Sequence, residues 1–352
     1  MFNYLSAGLA ILEKPIQARN RPLHLQVEPT NRCNLQCIFC SREKYLGALE
    51  DLSLEHYEEL LSEVRPKRVT YAGAGEPLLN PHLPEMIALA SKMGCHTVVT
   101  TNFIKGEKLA EELVRSGLTG LRVSLDGATP ETYKAIRGAD FFEKILQGIS
   151  KVNEYKKRLG KTTPTIGIEF VVQGRNLREM PQMIRLASEY AVHNVNFRPL
   201  NLIGKEEREE LLRAGLGFEE YSSTLKETFM VSKELGVNTN LSDLLKDLPF
   251  YWSGYSKSEN QINGKVCLHL WLQVFVSASG EITPCCALQM DEGISMGNVF
   301  SSPFETVWNG ERYLEFRRRF KEDKITYKSC RTCYRIDLPT LVRKTLRLPG
   351  LR

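Results

Sequence analysis

The chain has no apolar run near the roughly 18 residues a membrane-spanning helix needs. Its first 12 residues are apolar, but no basic segment precedes them and no small-residue cleavage site follows, so the marks of a secretory signal peptide are missing. There is no internal repeat and no low-complexity tract. There is also little excess charge. Lys and Arg number 47 against 42 Asp and Glu, a formal net charge of +5 over 352 residues, too weak an imbalance to point to nucleic acid. These absences lead us to expect a cytoplasmic globular protein, long enough for one large domain and a smaller one.

Cysteine, by contrast, is plentiful: nine residues. In a reducing compartment, clustered cysteines read as metal ligands rather than disulfides. Cys33, Cys37 and Cys40 lie in the run Glu-Pro-Thr-Asn-Arg-Cys-Asn-Leu-Gln-Cys-Ile-Phe-Cys at residues 28–40, a C-x3-C-x2-C spacing with Phe39 before the last cysteine. A [4Fe–4S] cluster takes four ligands. Three thiolates on one short loop hold three irons and leave the fourth open, much as catalytic zinc sites keep a free position. A zinc loop or three buried thiols is the plainer alternative.

From residue 22 to 200, short apolar runs alternate with amphipathic stretches. The pattern predicts strands at 23–27, 68–71, 96–100, 121–125, 165–172 and 195–198. It predicts helices after an N-cap at Ser53 and at 83–93, 107–116 with Gly117 as a stop, 131–136, 142–158 and 177–190. Six βα units in series make a parallel α/β sheet with right-handed crossovers. Six strands fall short of a closed barrel, so an open, curved partial barrel is expected. Functional residues of such sheets gather beyond the carboxyl ends of the strands, and the cysteine loop follows the first strand. The expected layout is a helical extension at 1–21, the barrel at 22–203, a charged helical and then polar linker or cap at 204–263, a small domain of short strands and turns at 264–335, and a basic apolar tail at 336–352.

Two further patterns carry chemistry. After the second strand, Gly73 and Gly75 permit close backbone approach, and Glu76 can accept hydrogen bonds from an ammonium group; taken alone, an ordinary βα turn explains them as well. Near the C-terminus, Cys267, Cys285, Cys330 and Cys333 form a closed four-thiolate set, with Gly280 suited to a hairpin turn at 277–281. Spacing alone leaves zinc or a cluster open there.

The C-x3-C-x-aromatic-C loop, the Gly-Glu-Pro turn, Thr-Thr-Asn at 100–102, Val-Ser-Leu-Asp-Gly at 123–127 and Phe-Arg-Pro at 197–199 together resemble the radical S-adenosylmethionine (SAM) superfamily over residues 22–200. The resemblance implies a partial (β/α)6 barrel and a [4Fe–4S] cluster on Cys33, Cys37 and Cys40, with SAM chelating the open iron. It also implies one-electron cleavage of SAM to a 5′-deoxyadenosyl radical, with a flavodoxin- or ferredoxin-type electron donor. Gly73, Gly75 and Glu76 match the turn that binds the methionine amino group, Ala74 standing where glycine is commoner. Asn102, Ser124, Asp126 and Arg198 become candidates for SAM or substrate, although Asp126 reads equally as a turn cap. The later cysteines resemble the SPASM/twitch extension. No cysteine follows Cys333, so the shortened twitch form is implied, with a second, auxiliary [4Fe–4S] cluster on Cys267, Cys285, Cys330 and Cys333. Cys95 reads as a buried core thiol. Cys286 is a ligand, a packed thiol or a hydrogen-atom donor.

The expected reaction is oxidation of a small molecule or sugar, the auxiliary cluster receiving the second electron. Alternatives are a radical epimerase using Cys286, a peptide-modifying maturase, and an iron–sulfur electron carrier or scaffold. Peptide-modifying relatives often carry an N-terminal recognition domain, and only 32 residues precede Cys33 here, which favours a small substrate over a short peptide. The basic apolar tail suits docking on the protein itself or contact with a membrane surface.

Overall fold

The computed structural model describes residues 2–40, 42, 48–200, 215–246, 248, 267–322, 324, 325, 327 and 330. The expected charged helix at 205–210, the polar stretch at 251–263, Cys333 and the tail lie outside these residues.

The six expected strands form: β1 (His24–Val27), β2 (Arg68–Tyr71), β3 (His96–Thr101), β4 (Gly120–Ser124), β5 (Thr165–Val172) and β6 (Asn194–Pro199). Their side chains alternate between two faces. Leu25, Val69, Val99, Leu121, Ile168 and Phe197 are buried on the outer face, where the helices pack. Arg68, His96, Arg122, Glu169 and Arg198 line the lumen. The helices are α1 (Phe2–Glu13), α2 (Leu54–Val64), α3 (Leu83–Lys92), α4 (Gly106–Arg115), α5 (Pro130–Arg137), α6 (Phe142–Arg158) and α7 (Met180–Glu189). Ser53 caps α2 by accepting from the His56 N–H, and Gly117 takes a φ of +81° just past α4. Two glycine-containing helices, α4 and α6, approach closely where Gly148 meets Gly106 and Glu107, and Ala110, Leu113, Ile145 and Ile149 of these helices are buried. Leu5, Leu9 and Leu12 of α1 are exposed. Among the described residues no helix is long and apolar enough to cross a membrane.

The sheet is larger than the six expected strands. After α8 (Phe218–Glu234), β7 (Asn238–Thr239) joins the β6 edge, followed by α9 (Leu241–Lys246). On the other edge, after α10 (His269–Leu272), β8 (Gln273–Val276) pairs parallel with β1, from His24↔Gln273 to Val27↔Val276. β9 (Ile282–Thr283) then returns antiparallel. The order is β7-β6-β5-β4-β3-β2-β1-β8-β9. The free edge of β1 is thus covered by a strand that is buried at all four positions, which is how a sheet avoids an open edge.

The turn between β8 and β9 confirms the reading of Gly280. Its φ is +84°, and a Cβ there would stand 2.4 Å from the Phe300 ring. The rest of this segment corrects the expectation of short strands and turns. It is mostly helical: α11 (Cys286–Glu292), α12 (Phe304–Trp308) and α13 (Glu311–Lys321). The cause is spacing, since Tyr313, Phe316 and Arg317 recur on one buried helical face.

Candidate functional site

The cysteine loop leaves β1 at its carboxyl end. Cys33 and Cys37 are half-buried and Cys40 is exposed. The Ile38 N–H donates to the Ile136 carbonyl of α5 at 3.0 Å, and the Cys40 N–H to the Cys37 carbonyl at 3.0 Å. Donors point at sulfur. The Arg42 N–H lies 3.4 Å from Cys40 Sγ, and Arg137 Nη1 lies 3.6 Å from Cys37 Sγ. Arg137 ends α5, sits 5.4 Å over the Phe39 ring and pairs with Asp126 at 2.5 Å. Burial pushes the Cys33 and Cys37 thiols up; the Leu35 N–H opposes this at Cys33, and the Arg137 guanidinium opposes it at Cys37. Three thiols on one loop, with N–H donors and a cation beside the sulfurs, are a donor set suited to an iron–sulfur cluster, whose potential such hydrogen bonds tune. A cluster gives each thiolate its own iron. Among the described residues, no three His, Cys, Asp or Glu surround one point where a single ion would sit.

The turn after β2 packs directly on this loop. A Cβ on Gly75 would stand 2.0 Å from the Thr30 carbonyl oxygen, and one on Gly73 would stand 2.3 Å from Glu28 Oε1. Both glycines are therefore required by close approach of the chain to itself. The Glu76 N–H donates to the Arg32 carbonyl at 2.7 Å, and the Ala74 N–H to Glu28 Oε1 at 2.6 Å. Glu28 Oε2 accepts from the Ala278 N–H at 3.3 Å, so one buried carboxylate joins the glycine-rich turn to the end of β8. Glu76 is itself buried. It accepts from Leu78 N–H at 3.0 Å, Thr101 Oγ1 at 2.5 Å and Asn102 N–H at 2.7 Å. That occupies three of about four acceptor positions on a carboxylate. Burial raises the Glu76 pKa, and those three donors oppose the rise. Asn102 Nδ2 donates to Asn34 Oδ1 at 2.8 Å, tying the end of β3 to the cysteine loop. A cavity of about 420 Å³ opens beside Cys33, lined by Arg32, Arg42, Leu49, Leu79 and Lys105.

Asp126, two residues past β4, turns inward. It is fully buried, pairs with Arg137 and accepts from the Val171 N–H at 2.6 Å. Its carboxylate is engaged by those two partners inside the protein. Ser124, at the end of β4, is half-buried, and its hydroxyl makes no hydrogen bond among the described residues. Arg198 pairs with Glu169 on the neighbouring strand β5. Sequence reasoning passed over Glu28, Asn34, Thr101, Arg137 and Glu169. Only Glu28 carried a local signal, as the first residue of the Glu-Pro-Thr run ahead of the cysteines.

In the C-terminal segment, Cys267, Cys285 and Cys330 are half-buried. Burial first, and then the charges of Cys286, Cys267 and Cys330, push the Cys285 thiol up. Thiols are the donor type that an iron–sulfur site takes. Cys285 caps α11, and Cys286 opens it. Burial raises the Cys286 thiol, and Gln26 of β1 and the charge of Arg198 on β6 oppose the rise. Cys95 is a core thiol, its sulfur 3.2 Å from the Pro66 carbonyl.

This geometry defines an α/β barrel with a trithiol loop at its functional end and a second cysteine group docked on its edge. The radical SAM superfamily profile matches residues 27–187, and that of the SPASM iron–sulfur cluster-binding domain matches residues 267–334. The chain belongs to the radical SAM superfamily and carries a SPASM domain; its cofactors are SAM, the SAM-binding cluster and auxiliary iron–sulfur. The chain is similar to the PqqA peptide cyclase of Xanthomonas oryzae, 27% identical over 84% of this chain and 77% of the relative. It is also similar to the tungsten-containing aldehyde ferredoxin oxidoreductase cofactor-modifying protein of Pyrococcus furiosus, 22% identical over 92% and 90%. The fold is shared with Streptococcus suis SuiB bound to its precursor peptide SuiA, with a TM-score of 0.63 and 16% identity over 88% of this chain and 69% of that one. It is shared too with anSMEcpe bound to SAM, with a TM-score of 0.63 and 19% identity over 89% and 87%.

Proposed function

We propose that this protein is a peptide-modifying radical SAM enzyme. The observation that supports it most is the match to PqqA peptide cyclase, which runs through the barrel and into the SPASM segment. That likeness weighs against the small-molecule or sugar oxidation expected from the short N-terminal segment. In this reading Cys33, Cys37 and Cys40 hold the SAM-binding cluster, and Cys267, Cys285, Cys330 and Cys333 hold an auxiliary [4Fe–4S] cluster. The backbone of the 73–76 turn, with Ser124 and Arg198, faces SAM and substrate. When bound, the cluster and SAM supply a carbon-centred radical that takes a hydrogen atom from the substrate. The protein's part is to hold the loop rigid through Asn34, Asn102 and Glu28, and to place a cation beside Cys37. A ferredoxin- or flavodoxin-type protein is the proposed electron donor.

The test is anaerobic reconstitution with iron, sulfide, SAM and dithionite, then incubation with a library of short peptides. The reading expects 5′-deoxyadenosine together with a peptide that has lost a pair of hydrogens by mass spectrometry. Deoxyadenosine with no altered peptide, and with an altered small molecule or cofactor precursor instead, would remove the peptide reading. The likeness to the cofactor-modifying protein of Pyrococcus furiosus makes that outcome the second reading.

A further inference from the structure

The barrel lumen holds a cavity of about 490 Å³ with a polar lining. Strand alternation puts it there. Arg68 on β2, His96 on β3, Arg122 on β4, Glu169 on β5, and Asn196 and Arg198 on β6 all line it. Three guanidiniums line it beside one carboxylate, and two of them share that carboxylate. Glu169 pairs with Arg198, faces Arg122 Nε at 3.7 Å and accepts from Asn196 Nδ2 at 2.8 Å.

Arg68 is left over. Its guanidinium makes no ion pair or hydrogen bond among the described residues, and its Nε is fully shielded from solvent. The groups facing it are cationic or neutral. Burial, and then the charge of Arg68, holds His24 down at about 3 and lowers His96. Burial and the charge of Arg122 push Arg68 itself down to about 10. A half-buried cation without a counter-charge is unfavourable. Its planar fork of donors fits a carboxylate in two-point fashion.

We propose that the lumen is a binding site for a substrate carboxylate, received by Arg68 with Arg122 behind it. The proposal rests on the peptide reading above, so the carboxylate is that of an aspartate or glutamate side chain. Arg68 begins β2, about 10 Å of strand below the glycine-rich turn. An acidic side chain anchored there leaves the adjoining peptide backbone toward the carboxyl ends of the strands, where the cysteine loop lies.

The test measures thermal unfolding of the anaerobically reconstituted protein against matched sodium chloride. The probes are glutarate, inorganic phosphate, and N-acetyl-Gly-Glu-Gly-amide beside its Gln counterpart. The expected result is a concentration-dependent rise in Tm with glutarate and the Glu tripeptide but not with the Gln tripeptide. In Arg68→Met the apparent affinity for both falls by about tenfold or more. Arg68→Met should itself melt no lower than wild type, because it removes an uncompensated charge. Should it fail to fold, Arg68→Lys, which keeps the charge but loses the fork, gives an intermediate affinity. A response to phosphate alone overturns the carboxylate assignment. Equal responses in wild type and both variants overturn the site. A response to glutarate without one to the Glu tripeptide keeps the site and removes the peptide reading, so the two failures are told apart.

Discussion

Cys33, Cys37 and Cys40 lie on one loop at residues 33–40, whereas Cys267, Cys285 and Cys330 come from three separated places in the last quarter of the chain. The first group is nearly complete as a local motif; the fold only has to hold the loop, through Arg137 against Cys37 and Asn102 against Asn34. The second group has to be assembled. β8 must pair with β1, and the helices after Gly280 must fold back on the barrel. The residue that fastens them is Arg317, fully buried under Trp308 and Tyr313 at 4.5 and 4.9 Å. Its guanidinium donates to the carbonyls of Leu270, Trp308 and Ile16 at 3.1, 3.0 and 3.3 Å. Trp308 Nε1 and Trp271 Nε1 donate to the Asn20 and Pro15 carbonyls, so the segment before β1 is clamped as well. One site is thus written locally and held; the other exists only when distant parts meet.

The largest expected effect separates the two groups directly. Cys33→Ala should bring 5′-deoxyadenosine formation down to background and iron from about eight to about four per chain. Cys285→Ala should lose a similar amount of iron and still cleave SAM. Equal loss of SAM cleavage in both variants would collapse the distinction. Next comes Arg317→Met, expected to destabilise by about 3–5 kcal/mol in denaturant unfolding, because several buried carbonyls lose a charged donor at once. No change in the midpoint would mean that the C-terminal helices are fastened elsewhere.

Gly75→Ala should cost about 1–3 kcal/mol, since the Thr30 carbonyl must move to admit the methyl group. Equilibrium dialysis should show weaker SAM binding, and unchanged affinity would show that the turn does not set it. Arg137→Met removes the cation beside Cys37. The SAM-binding cluster should then be harder to reduce, by about 60 mV or tenfold in the reduced-to-oxidised ratio, in an electron-paramagnetic-resonance titration. A shift confined to the auxiliary cluster would contradict the geometry. The smallest effect is a pH dependence at Glu28. Burial raises its folded pKa above the ordinary carboxylate value, and the N–H groups of Ala74 and Ala278 only partly oppose this. The folded state therefore holds its proton to higher pH than the unfolded state, so stability falls as pH rises from the ordinary carboxylate range through the folded value. Glu28→Gln should flatten that decline in melting curves; a steeper one would reverse the sign of the shift.

Much of the fold is readable from the sequence because strands and helices obey short periods. Thr-Ile-Gly-Ile-Glu-Phe-Val-Val at 165–172 alternates cleanly, and β5 occupies those residues. Ser53 and Gly117 mark helix ends through their own backbone preferences. The segment after Cys285 was harder because its elements are short and its buried face, Tyr313, Phe316 and Arg317, includes a charge that reads as solvent-exposed. The candidate site was readable where its cysteines lie close together in sequence. The pairing of Asp126 with Arg137 was not legible, because Arg137 lies on the next helix and the pair closes only when α5 packs beneath the cysteine loop.

The sequence by itself determined the trithiol loop, the order of βα units and the second cysteine set, since each depends on spacing along the chain. Tertiary structure alone decided that Gly73 and Gly75 serve packing against residues 28–32, and that Asp126 serves Arg137 and through it Cys37. It also decided that Glu169 answers two of the three lumen arginines and leaves Arg68 without a counter-charge. These are matters of which charge meets which across the barrel, and burial, which makes each such meeting strong, exists only once the strands have closed around it.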